Sequence, residues 1–224
     1  MKINSTLPIF IQKHKNKKNQ IIYYKSSCKN RSVIENIIDN FLTKKNSFIF
    51  ESVEKRKLRG RYTIIGSDPD KIWEFNGNKI RIISGKKKKT IKASPYKYLK
   101  SLIESFSFPL PKKLPPISSL LVGYFSYDVI RYIEKVPDKC LDDLKIPDIR
   151  LLRPRTIIIH DNFLKKIYYI KNCFADEKII NYKDYYDEQI KSIKSLIFYS
   201  NFKKNKFNKK KINKKFPVKS NISK

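Results

Sequence analysis

Apolar positions change their period at Ser47. Before it, residues 1–30 carry two short apolar stretches, PIFI and IIYY, between Lys/Asn turns, and both read as short strands. Ser32 and Glu35 have capping-box spacing, and Ile34, Ile37, Ile38, Phe41 and Leu42 follow at helical intervals, which predicts a helix over 33–43. From Ser47 the alternation is that of strands: SFIFESV, RYTIIG, KIWEF and KIRII. Asn76-Gly77 between the last two predicts a hairpin. Ser94-Pro95 opens a second helix, with Ser as N-cap, Pro in the first turn and Tyr98, Leu99, Leu102, Ile103 and Phe106 as its apolar face.

FPLPKKLPP, 108–116, is a connector, since proline cannot donate to a ladder. SLLVGYFSYD predicts a buried strand running into a short helix, VIRYIEKV. RPRTIIIHD and KKIYYIK predict a hairpin about Asp161-Asn162, and 175–199 a polar-faced helix. The order of elements is α+β: largely antiparallel sheet with inserted helices.

The basic composition adds one question. The formal net charge is +31, which by itself suggests a polyanion partner. Only nine of the 51 basic residues are Arg, whereas nucleic-acid sites favour Arg for bidentate contacts. Lys, Asn and Ile are heavily used together and share A/T-rich codons, so base composition accounts for the charge. A Lys-rich nucleic-acid-binding module is the rival reading. Residues 201–224 read as an exposed Lys-rich linker. No run reaches the roughly 20 apolar residues of a membrane helix, and the N-terminus lacks a signal-peptide pattern, so a cytoplasmic protein is expected. Cys28, Cys140 and Cys173 stand far apart, without metal-ligand spacing.

Candidate chemistry is sparse. SGKKKKT lacks the first Gly of a phosphate loop and reads as a solvated hairpin arm. Asp138, Asp142 and Asp143 read as an exposed acidic loop, Asp128 and Arg131 as an ion pair three residues apart beside Tyr124, and Trp73 as core. The stretch that stands out is FIFESVEKRKLRGRY, where a strand runs into Glu51 and Ser52 and a guanidinium, Arg61, returns soon after. Two readings stay open on the residues alone: a strand end with a solvated turn, or a small pocket that binds a zwitterion.

Three segments together resemble anthranilate synthase component I. They are FIFESVEKRKLRGRYTIIGSDPDKIW, LPPISSLLVGYFSYDVIRYIEKVP and IPDIRLLRPRTIIIHDNFLKKIYYI, and they occur in the family's order. The terminal SNISK resembles the start of the family's chorismate-binding half. Ser126 stands where the family has a second Gly, and would be strained if that backbone needed positive φ.

The resemblance implies the N-terminal half of a layered sandwich. Residues 1–200 would form the N-terminal domain, and 201–224 the linker and start of a missing chorismate-binding half. It implies an enzyme that makes anthranilate from chorismate in tryptophan biosynthesis, with Mg2+ and a glutamine amidotransferase subunit as partner. Catalytic residues, chorismate and Mg2+ would belong to the missing half, so this chain alone would be inactive, with no metal or cofactor of its own. Glu51, Ser52 and Arg61 are implied as an allosteric L-tryptophan site. The sister 4-amino-4-deoxychorismate synthase component shares the architecture, and the intact ESVE and GRYTIIGSDP favour the anthranilate branch.

Overall fold

The structure is a computed structural model and describes residues 3–41, 43–51, 60–106, 108–137, 142 and 144–202. The described residues contain four α-helices: α1 (Leu7–Lys15), α2 (Arg31–Phe41), α3 (Pro95–Ser105) and α4 (Tyr182–Asn201). Eight strands accompany them: β1 (Gln20–Ser27), β2 (Phe48–Glu51), β3 (Tyr62–Asn76), β4 (Lys79–Ser84), β5 (Lys87–Lys92), β6 (Val122–Phe125), β7 (Ile149–Asp161) and β8 (Lys166–Cys173). All pairings are antiparallel. The fold is α+β, as the alternation predicts.

Two long strands, β3 and β7, form the spine of one sheet with spatial order β1-β8-β7-β3-β4-β5. Each changes partner along its length. The first half of β3 pairs with β2 and its second half with β4, while β7 pairs first with β6 and then with β8. The sheet therefore has two wings about a common spine. The turn of the β3–β4 hairpin is Gly77-Asn78, one residue beyond the predicted Asn76-Gly77, because Asn76 pairs with Lys79. Gly77 takes the positive φ of 54° that the turn requires.

Three apolar clusters hold the wings. Ile22, Ile65, Ile158 and Tyr169 face α1, α2 and α4, which contribute Phe10, Ile34, Ile37 and Ile193. On the opposite face Ile157, Ile159, Tyr168 and Ile170 lie under the proline-rich connector through Phe108, Leu110 and Leu114. With both faces covered, the spine needs apolar residues at consecutive positions, hence Ile157-Ile158-Ile159 with no alternation. The second wing buries Trp73, Phe75, Ile80, Ile149 and Leu151 against Tyr98, Leu99 and Leu102 of α3.

Other expectations change as well. PIFI belongs to α1, where Pro8 occupies the first turn and Phe10 and His14 form the buried face four residues apart. RYTIIG and KIWEF join in the single strand β3, whose register shifts between Pro69 and Lys71. The capping of α2 comes from Asn30, whose side chain accepts from the Ser32 amide at 2.9 Å, while Glu35 pairs with Arg31. Helix α4 starts at Tyr182, with the Asn181 side chain accepting from the Lys183 and Asp184 amides. Leu42 and the 203–224 tail lie outside the described residues.

Candidate functional site

Strand β2 delivers Glu51 opposite Thr63 of β3. Its carboxylate accepts from Arg31 Nη2 at 3.1 Å on the surface, which ties the end of β2 to the start of α2. Ser52, the next residue, lies outside the described residues.

Arg61 enters β3 beside Tyr62, which pairs with Asp161 at the end of β7. That register puts the guanidinium against the Asp161 carboxylate. Nη2 donates at 2.7 Å and Nε at 3.1 Å to Oδ2. Asp161 is 1% exposed and also accepts from the Phe163 and Leu164 amides at 3.0 and 2.9 Å, which fixes the β7–β8 loop. Burial by itself raises this carboxyl. The Arg61 pair and the two amides outweigh it, so Asp161 sits below the ordinary carboxylate range. The Arg61 carbon lies 4.9 Å from the Tyr62 ring centre and 5.7 Å from that of Phe163. The carboxylate that Arg61 faces is thus Asp161 of this chain, not a ligand's. Nη1 has no hydrogen bond among the described residues, which leaves one edge of the fork open.

The remaining candidates have structural partners. Asp128 accepts from Arg131 Nε at 2.9 Å, and Arg131 also donates to the Val136 and Pro137 carbonyls. Tyr124 is half-exposed on β6, and Trp73 is core at 3% exposure. Gly123 lies so close to β7 that a Cβ would come within 1.7 Å of the Arg150 carbonyl oxygen. Ser126, at the family's Gly position, has an extended backbone (φ −72°, ψ 168°) and is unstrained. Its hydroxyl is nevertheless buried, without a partner among the described residues.

SGKKKKT forms the exposed β4–β5 turn. Asp142 accepts from the Lys145 amide, while Asp138, Cys140 and Asp143 lie outside the described residues. Among the described residues no cluster of three or more His, Cys, Asp or Glu could hold a metal ion. Those residues do not fit Mg2+, and no chemistry is routed through one.

The antiparallel α+β sheet has the fold of anthranilate synthase component I from Streptococcus pneumoniae TIGR4. That structure aligns with a TM-score of 0.53 at 17% identity, over 75% of this chain and 34% of its own. Anthranilate synthase component 1 of Cereibacter sphaeroides is 31% identical over 148 residues, covering 64% of this chain and 30% of that protein. That of Acinetobacter calcoaceticus is 33% identical over 133 residues, covering 55% and 26%. The chain thus spans under a third of the length of these curated relatives. The family model described as chorismate binding enzyme matches residues 45–222, and the chain belongs to that family. The match runs through residues that the sequence reading placed ahead of the chorismate-binding half. No helix among the described residues is long and apolar enough to cross a membrane.

Proposed function

We propose that this chain is the regulatory and scaffolding N-terminal portion of a cytoplasmic anthranilate synthase component I, with Glu51, Ser52 and Arg61 in its tryptophan feedback site. The complete enzyme converts chorismate to anthranilate with ammonia from a glutamine amidotransferase subunit, and its Mg2+ and catalytic groups come from outside the described residues. Relatives named anthranilate synthase component 1 support this branch over the aminodeoxychorismate one. The observation that carries the site is the strand pairing. β2 ends at Glu51 beside the start of β3, where Arg61 is held by Asp161 and its Nη1 has no partner among the described residues. A free amino acid offers an ammonium for Glu51 and a carboxylate for that nitrogen, and Ser52, next to Glu51 in sequence, carries a further hydroxyl.

The test uses a chimera in which this chain replaces the matching region of the Cereibacter sphaeroides enzyme. Ser52→Ala and Ser52→Phe are assayed for turnover and for the tryptophan concentration giving half inhibition. Loss of one hydrogen bond to a charged group, roughly 1.5–3 kcal/mol, raises that concentration roughly 10- to 150-fold while turnover persists. Unchanged tryptophan sensitivity in both variants rejects the site.

A further inference from the structure

A cavity of about 330 Å3 lies on the helical side of the sheet, away from Glu51 and Arg61, where the α2–β2 loop, the β3 bulge, β7, β8 and α4 converge. Its volume falls at the lower end of small-molecule sites, roughly 300–1,000 Å3. Ser67, Thr156 and Lys171 line it from the sheet, and Lys44 and Lys45 from the loop.

Lys171 is the unusual member, because it is a lysine only 3% exposed. A buried ammonium needs close compensation. Its Nζ donates to Thr156 Oγ1 at 2.8 Å, but its acidic partner, Asp68, is 3.3 Å away on a side chain 61% exposed to water. The ammonium has three donors, and these are its two partners among the described residues. Ser67, at 2% exposure, has no side-chain hydrogen bond among the described residues. Lys44 rests over the Phe41 ring, and neither it nor Lys45 has an acidic partner among the described residues. Three lysines against the single carboxylate of Asp68 leave two positive charges around a cavity that also presents the Ser192 hydroxyl.

We propose that this cavity is a phosphate-binding site, in which Lys171 and the Ser67 and Thr156 hydroxyls hold the phosphate from the sheet and Lys44 and Lys45 face it from the rim. Two uncompensated charges match a dianion. The lining contains no arginine, the residue whose planar fork suits a carboxylate, whereas lysine binds phosphate as a point charge alongside hydroxyl donors. Occupation would also set a second anion beside the buried ammonium, whose partner Asp68 is largely exposed to water.

The experiment titrates inorganic phosphate into the 224-residue chain at fixed ionic strength, reading binding by calorimetry and the shift in Tm. The parent is compared with Lys44→Gln/Lys45→Gln, with Lys171→Met, and with Lys88→Gln/Lys89→Gln, which removes the same charge from the exposed β5 strand. The parent and the β5 variant should bind saturably and gain Tm alike. Both cavity variants should bind at least tenfold more weakly. The rim variant alters only exposed side chains, so the comparison stands even if Lys171→Met fails to fold. A second arm compares glycerol 3-phosphate with glycerol. An ester that binds more tightly than inorganic phosphate identifies a phosphomonoester as the ligand, and equal binding identifies free phosphate. Absence of saturable binding, or equal loss in the rim and β5 variants, overturns the site and assigns any phosphate affinity to the overall charge. Neither outcome bears on tryptophan sensitivity, which Ser52 tests separately.

Discussion

Arg61 and Asp161 are separated by 100 residues yet share a bidentate contact, because β3 and β7 run antiparallel with Tyr62 opposite Asp161. The sequence supplies the guanidinium and the motif around it, but not this partner, since a strand's register against a distant strand leaves no local signature. Ser126 is a different kind of residue. The motif comparison flags it as a departure, and the backbone accommodates it in an extended conformation. The departure's consequence is chemical, a buried hydroxyl without a partner among the described residues. Removing such a group relieves part of a desolvation cost of about 1–3 kcal/mol. Ser126→Ala should therefore stabilise the chain by about 1 kcal/mol, seen as a higher denaturant midpoint with unchanged slope. A lower midpoint would mean that the hydroxyl is satisfied.

At the scale of elements, the bulge in β3 shows what patterning reveals and what it hides. RYTIIG and KIWEF are each legible as strand, but Ser67-Asp68-Pro69-Asp70 between them reads as a break. The chain continues through it because Asp68 takes a left-handed conformation (φ 58°), which aspartate tolerates, and because Arg153 clamps the far side. Arg153 donates from Nε and Nη2 to Asp70 and from Nη1 and Nη2 to Asp176, and its guanidinium lies 3.9 Å from the Phe174 ring centre. PIFI reads as a strand in sequence for another reason. Four apolar residues fit either period, and only the proline in the first turn and the i,i+4 pair Phe10/His14 favour the helix. Arg153→Met should cost about 3–5 kcal/mol, because it leaves the nearly buried Asp70 carboxylate unpaired. Burial raises the Asp176 carboxyl, but Arg153 and Lys71 outweigh that and hold it below its ordinary value. This contribution to stability is present above the ordinary carboxylate pKa of about 3.9 and is lost as pH falls through the depressed one. Denaturation midpoints measured across that range should fall more shallowly in Arg153→Met than in the parent. A variant as stable as the parent, with the same acid limb, would remove the clamp from the account of the bulge.

Across the whole molecule, a common spine serves two wings, and the charge of +31 comes from a sequence in which lysine outnumbers arginine. The order of elements made the class of fold legible, and alternation made most strands legible. Neither indicated that β3 and β7 change partners midway, because that depends on where six other strands find an edge. One member of the sheet has a particular history in synthesis. Among the described residues β1 pairs with β8 and no other strand, from Ser27 against Lys166 to Gln20 against Cys173. A ribosome adding roughly 5–20 residues per second needs roughly 7–30 s to cover the about 140 residues between them. For that interval the strand leaves the ribosome early and has nothing to pair with, and its apolar IIYY segment is available to a chaperone or to another nascent chain. Stalled chains ending before Lys166 should be cut by trypsin at Lys25, whereas chains stalled well beyond Asn201 should resist. Equal resistance in the two would mean that the N-terminal segment finds shelter before its strand partner exists.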